Sequence, residues 1–392
     1  MLSAKDYTVG WICTILTEYV AAQAVIDEEH ERPEDVAPTD SSSYTFGKIG
    51  KHNVVMTALP GWDVSAGFVA RRMLDSFPNI PFFLTVVVGG GAPSPRHDIR
   101  LGDVVVGASP NGEGGVYRYG LSNTMLGGDF ETIGLSRESP LLLRTAVNEL
   151  FAQYETSGHE LERHINDIFA MKPRLRRKYA RPDPRSDRLY DSTFTHQQDD
   201  AGCAIVCDDE SSMRRRPERT EEEDNPAIHY GLIASGNYAM KDALTRDRVS
   251  AASGVLCFEA GSIGVMNYFP CLVIVGICDY ADTHAKKEWQ GYAAMAAAVY
   301  AKDLLSQIHP GQIEAENEIK AQKEIETQKE IETQKEIEAQ KEIEAQKEIE
   351  AENKIEAEKG IEAQNKFGNI LPYQFDEASI SSATGSSRYV LL

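Results

Sequence analysis

Up to about residue 309 the chain alternates short apolar runs with stretches of helical periodicity. Residues 8–16 are apolar and β-rich, and a helix-like stretch follows over 18–29. Residues 44–49 and 53–59 read as the two strands of a hairpin around Gly50, Lys51 and His52. Residues 65–77 carry a helical pattern. Residues 82–88 form a nearly continuous apolar run that ends in Gly89-Gly90-Gly91. Further strands are expected at 103–107, 230–235, 254–258 and 271–278, with helices at 141–154 and 290–307, the last rich in alanine. Continuous apolar strands interleaved with helices are the pattern of a sheet buried on both faces. The prediction is a three-layer α/β/α domain over residues 5–309.

Two segments break this alternation. Residues 158–226 are polar, with Pro173, Pro182, Pro184 and Pro217, and basic in places: Arg174, Arg176, Arg177, Arg181, Arg185, Arg188, then Arg214, Arg215, Arg216 and Arg219. An irregular segment of that length inside a domain is expected to be a functional covering loop or a disordered insert. Its charge either invites a small anion or acidic partner, or is neutralised by its own Asp208, Asp209, Glu210 and Glu221 to Glu223.

The second break, residues 311–366, repeats KEIEAQ-like units with isoleucine every six residues from Ile313 to Ile361. The composition favours helix. Six residues at 100° each leave successive isoleucines 120° apart, so they wind round the helix and form a poor coiled-coil seam. Glu326 with Lys329, Glu332 with Lys335 and Glu338 with Lys341 are expected to support a single exposed helix. A solvated or partly disordered spacer is one reading and an oligomerisation handle the other. Residues 367–392 are serine-rich and aperiodic, and read as a disordered tail.

Composition narrows the function. The 392 residues carry a net charge of −21, of which the repeat holds −8. Such acidity argues against a general nucleic-acid binder and against docking on anionic lipid. No apolar run reaches the length needed to span a bilayer. The first ten residues lack a basic region followed by an apolar core, so no secretory signal is expected. Of six cysteines, Cys13, Cys257, Cys271 and Cys278 lie in apolar stretches as small hydrophobes. Cys203 and Cys207 are four apart, with no second Cys/His pair at zinc spacing, and no metal is expected. A reduced, intracellular, cytoplasmic protein is the expectation.

Four places combine tight backbone with carboxylates or small residues. Glu18 follows the opening strand, where a carboxylate either points into the crevice at the sheet edge or complements a helix N-terminus. Gly89 and Gly90 end a buried strand and would let a ligand approach the backbone; no Gly-Lys-Ser/Thr follows, so this is not a Walker loop. Ser235, Gly236 and Asn237 end another strand. Asp279 follows a third, where a carboxylate is costly unless paired or functional, the alternative being a cap or turn.

As an ordered set these stretches resemble the purine nucleoside phosphorylase/methylthioadenosine–adenosylhomocysteine nucleosidase superfamily, and more narrowly its fungal branch associated with NACHT, ankyrin or tetratricopeptide proteins. The resemblance covers residues 5–307. It is carried by Asp6-Tyr7-Thr8-Val9-Gly10-Trp11-Ile12-Cys13, by Gly89-Gly90-Gly91-Ala92-Pro93-Ser94, and by Asp98-Ile99-Arg100-Leu101-Gly102-Asp103 with the valines after it. It continues through Ile228-His229-Tyr230-Gly231-Leu232-Ile233-Ala234-Ser235-Gly236-Asn237 and Gly276-Ile277-Cys278-Asp279-Tyr280-Ala281-Asp282.

The resemblance implies cleavage of a nucleoside or nucleotide N-glycosidic bond, releasing a purine base by phosphorolysis or hydrolysis. Asp279 takes the position that protonates or hydrogen-bonds N7 of the departing base. Glu18 takes that of the water-activating carboxylate. Gly89 and Gly90 would border ribose and nucleophile, and Ala239 and Met240 the base. No cofactor is implied, and inorganic phosphate is the co-substrate of the phosphorolytic route. The implied partner is a small nucleoside or nucleotide, with no nucleic acid and no membrane, and a homo-oligomer is a family habit.

Two residues depart from the pattern. Where the family reads Phe-Glu-Met-Glu, this chain reads Phe258-Glu259-Ala260-Gly261, keeping Glu259 and losing the ribose-gripping carboxylate at Gly261. Val275 stands where the branch has arginine, and residues 59–65 are short where relatives carry a nucleophile-side loop. The alternative function is therefore a non-catalytic nucleoside-binding relative that acts as a sensor or scaffold.

Overall fold

In a computed structural model of the chain, the described residues are 2–37, 40, 42–61, 65–109, 115–121, 130–135, 139–196, 207, 210–220, 222–266, 268–284 and 287–367. Two compact units are present, Met1–Ala321 and Gln322–Leu392.

The first unit opens with β1 (Val9–Cys13), α1 (Leu16–Ala24), β2 (Glu28–His30), β3 (Thr45–Ile49), β4 (His52–Ala58), α2 (Ala66–Ser76), β5 (Phe83–Gly91) and β6 (Val104–Val106). There follow β7 (Gly115–Leu121), β8 (Phe130–Leu135), α3 (Leu141–Ser157), α4 (Leu161–Met171) and α5 (Arg176–Tyr179). The remainder is β9 (Ile228–Tyr230), β10 (Leu232–Gly236), α6 (Ala243–Ser253), β11 (Val255–Ala260), α7 (Ile263–Met266), β12 (Cys271–Asp279), α8 (Gln290–Ser306) and the start of α9 (Pro310–Phe367), most of which belongs to the second unit.

The strands form one mixed sheet between helical layers, an α/β fold. β1 runs parallel to both β4 and β5, and β12 runs parallel along the length of β5. The apolar strand of the sequence reading therefore lies at the centre. Val86 and Val87 are buried and Val88 is partly so, as a run covered by helices requires. α8 packs on β12 and β5 and buries nearly every residue from Gly291 to Leu305, which its alanines permit at short distance.

β5 changes partner along one edge. It pairs with β1 through Thr85, whereas Gly90 and Gly91 pair antiparallel with Phe258 and Cys257 of β11. On the other edge β12 follows it to Gly90, which faces Asp279 across a register shift. The sheet splits at this fork.

Several expectations need correction. The first helix stops at Ala24, and Glu28–His30 forms an edge strand on β3; the charged end of the expected helix pairs as strand. The expected strand at 230–235 is two strands, β9 against β6 and β10 against β11. The polar insert is ordered where it begins. α4 buries Leu161, Ile165, Ile168 and Phe169, a single helical stripe, and packs on α8. α6 was not foreseen because its interior is polar; Asp242 caps it by accepting from the Leu244 N–H at 3.0 Å.

The repeat is a continuous helix, α9, of 58 residues. Within it every isoleucine from Ile319 to Ile361 is exposed, at 44–60% of its surface, as a six-residue period dictates. The expected Glu–Lys pairs do not close within ion-pair distance. Gln328 instead donates to Glu332 at 3.1 Å. Among the described residues no helix is long and apolar enough to cross a membrane. The tail expected at 367–392 lies, from residue 368 on, outside the described residues, as do Trp62, Asp63, Val64, Cys203, Asp208, Asp209 and Glu221.

Candidate functional site at the fork of the central strand

Glu18 sits at the third position of α1, buried to 3% exposure. Four donors hold its two oxygens. Oε2 accepts from the Thr14 N–H at 2.6 Å, the Ile15 N–H at 2.9 Å and the Thr14 hydroxyl at 2.9 Å. Oε1 accepts from the Val88 N–H at 2.8 Å, in the interval of β5 between its β1 and β11 partners. Glu18 thus caps the helix and also reaches the fork. Burial raises its pKa to about 7, against the lowering effect of those bonds.

Asp279 ends β12 beside Gly90. A side chain at Gly90 would run into Asp279 Oδ1 and the main chain of Ala281, so only glycine lets the strand pass the carboxylate. Oδ1 accepts from the Ala281 N–H at 2.8 Å, and Ala281 adopts φ 51° to make that turn. Burial pushes the Asp279 carboxyl up, the Ala281 bond and Lys241 pull it down, and Asp282 adds to the rise. The anchor points of Glu18 and Asp279 on β5, Val88 and Gly90, are two residues or about 7 Å of strand apart.

Glu259, on β11, lies alongside Gly89. It is buried, and its carboxyl is raised by that burial against bonds from Ser235 and Ser262. The Ser262 hydroxyl donates to Glu259 Oε1, and the Ser262 N–H donates to Oε2 at 3.2 Å. Gly261 has φ 123°, and a Cβ there would lie 2.8 Å from Thr14 Cγ2. Its N–H donates to the Gly236 carbonyl at 3.2 Å. Gly261 therefore abuts the Thr14–Glu18 cap.

The fork thus gathers Glu18, Gly89, Gly90, Ser235, Gly236, Glu259 and Asp279. Of the other three residues singled out by sequence, two are exposed and one packs beside the fork. Asn237 and Ala239 are exposed on the turn after β10, and Met240 packs in a small second core with Tyr119, Phe258 and Ala281. Val275, buried on β12, pairs with Val87 and fills the space beneath Gly89.

Three residues shape the Asp279 loop, and no sequence pattern links any of them to it. Arg246 is buried to 1% exposure and donates from Nη1 to the Tyr280 carbonyl at 2.6 Å. Arg216 donates from Nη2 to the Tyr280 hydroxyl at 2.6 Å and lies over its ring. Asp187 accepts from the same hydroxyl. Each is a charge in a polar stretch, and only the fold shows that it faces the loop.

The basic island forms a cleft of about 750 Å³ lined by Arg100, Arg181, Arg185, Arg214, Arg216 and Arg219 among others. Several of its arginines are committed to aspartates; Asp208, Asp209 and Glu221 lie outside the described residues. Arg219 donates both Nη atoms to Asp103 at 2.6 Å, Arg216 bridges Asp187 at 3.1 Å and Asp98 at 3.3 Å, and Arg214 meets Asp191 at 3.2 Å. Burial works to raise the Asp103 carboxyl, yet the bonds from Arg219 and His229 hold it at about 2.

No protein-family model matches the chain. A "Nucleotide-binding leucine-rich repeat (NLR)-like protein" of Hyaloscypha variabilis is 39% identical over 310 residues. The match takes in 79% of this chain and spans 30% of that protein's length. Among solved structures, futalosine hydrolase of Helicobacter pylori superposes with a TM-score of 0.45 at 11% identity, over 78% of this chain and 100% of that one. The 5'-methylthioadenosine/S-adenosylhomocysteine nucleosidase of Neisseria meningitidis, in complex with methylthio-immucillin-A, gives 0.45 at 13% identity, over 77% and 97%. Likeness of that degree is too loose to transfer the role of any residue.

Proposed function

We propose that the Met1–Ala321 unit binds a purine nucleoside-class ligand at the fork of β5 and cleaves its N-glycosidic bond. The observation that carries this reading is the pair of buried carboxylates, Glu18 and Asp279, both raised in pKa and anchored two residues apart on one glycine-ended strand. The resemblance of the sequence assigns the same two residues to the same reaction.

In the hydrolytic form the bond between C1' and the base nitrogen breaks and water oxygen bonds to C1'. Asp279, whose carboxyl is pushed up by burial, gives a proton to the leaving base, and Glu18 takes the proton lost by water. General acid and base groups work best with pKa values near the working pH. Gly89 and Gly90 let the strand pass close beside Glu259 and Asp279, where a side chain would collide.

The test is release of free base from adenosine, inosine and methylthioadenosine, with and without phosphate. Base release that Asp279→Asn abolishes supports the reading, and a phosphate requirement assigns phosphorolysis. No release from any of the three, alongside retained nucleoside binding, favours the second reading, a binding-only sensor or scaffold. The observation behind that reading is Gly261, whose φ of 123° places no carboxylate where ribose would be gripped.

A further inference from the structure

We propose that His196, Cys207 and His284 form a zinc site that ties the 158–226 insert to the loop carrying Asp279. Spacing in the sequence did not show it, because His284 lies 77 residues beyond Cys207. The fold brings the three ligand atoms within 4.8 Å of one another, with Cys207 and His284 buried. His196 Nδ1 lies 3.1 Å from Cys207 Sγ. A tetrahedral zinc with the usual Zn–N and Zn–S bonds separates its ligand atoms by about 3.3–3.6 Å, so a small closing movement seats the ion. Two imidazoles and a thiolate are a donor set suited to zinc, whereas magnesium and calcium take oxygen.

The surroundings are those of a built site. His284 Nε2 meets the Phe194 carbonyl at 3.1 Å; donation there assigns the lone pair to Nδ1, and metal-bound histidines are typically oriented in this way. The main chain of each ligand is also tethered. The His196 N–H donates to Thr283 Oγ1 at 2.7 Å, the Tyr190 hydroxyl donates to the Cys207 carbonyl at 3.1 Å, and the His284 N–H donates to Asp282 Oδ1 at 2.7 Å. Tyr190 and Phe194 stack on the His284 ring at 4.1 Å and 5.5 Å. The site lies five residues beyond Asp279, so the ion would hold the insert against that loop. Binding releases the Cys207 thiol proton to solvent and involves no redox change. The site does not depend on the glycosidic reading.

The full chain, purified without chelator, is expected to carry about one zinc per chain by elemental mass spectrometry. Cys207→Ser and His284→Ala should each retain less than about a tenth of that, while Cys271→Ser, a buried thiol on β12 outside the cluster, keeps it. A ligand variant that failed to fold would also lose metal, so a second measurement uses the unaltered chain. Chelation should lower its thermal midpoint, and zinc, but not magnesium, should restore it. Cobalt(II) in the same chain should give a thiolate charge-transfer band that folded Cys207→Ser lacks. A folded wild-type chain that neither carries zinc nor takes up cobalt overturns the proposal. So does Cys207→Ser with its zinc intact, or uptake of copper with an intense blue absorption in place of zinc.

Discussion

Glu18 and Asp279 share one physical predicament: each is a carboxylate moved out of water beside the same strand end. For Glu18 the folded pKa of about 7 lies above its ordinary 4.5. The native state therefore holds the proton more tightly. Its contribution to stability is full below about pH 4.5 and is lost as pH rises through 7, in all about 3 kcal/mol. Denaturant unfolding at pH 5 and pH 7.5 should show this fall in the wild-type chain and a much smaller one in Glu18→Gln. If Glu18 is the base, the rate of base release rises with pH through about 7, and Glu18→Gln loses that limb. Asp279→Asn should lower base release by about 10²–10⁴-fold with the thermal midpoint nearly unchanged. Gly261→Glu is expected to cost about 1–3 kcal/mol and to restore no ribose contact, because φ 123° and the nearby Thr14 methyl strain any side chain there. Its unfolding midpoint and nucleoside affinity are the measurements.

At the scale of elements, the segment 158–226 behaves as part of the domain. α4 lays its apolar stripe on α8, and Arg219 and His229 both bond to the Asp103 carboxylate just before β6. Removing one partner of a buried ion pair strands the other, so Asp103→Ala should cost about 3–5 kcal/mol in equilibrium unfolding. The pair's contribution is full above the ordinary aspartate pKa of 3.8 and is lost as pH falls toward 2, the value Asp103 takes in the fold. An acid titration of stability that is flat from pH 4 to pH 2, once other carboxylates are matched by the Asp103→Ala variant, would contradict this. α9 illustrates the opposite case. Its isoleucines divide among three faces and line none of them, and helix is dictated by composition alone.

At the scale of the whole molecule, each residue of the fork belongs to the Met1–Ala321 unit. A chain ending at Ala321 should therefore release base at the full-length rate, measured at equal concentration. A drop of tenfold or more would assign the repeat a part in the reaction. The sequence determined the layers, because continuous apolar strands must be covered on both faces and a six-residue period forbids a helical seam. It also determined the strand ends where small residues and carboxylates meet, since a carboxylate after an apolar strand demands a reason. Tertiary structure alone decided which of those ends converge. Gly89, Gly90, Glu259 and Asp279 come together because β5 exchanges β1 for β11 partway along, and such an exchange leaves no periodic trace. It alone decided that Arg216 and Arg246 face the Asp279 loop and that His196, Cys207 and His284 meet. Charged and metal-binding side chains look alike in sequence whether they point to solvent or to one another, and the long-range contacts that tell these apart form only when the chain folds.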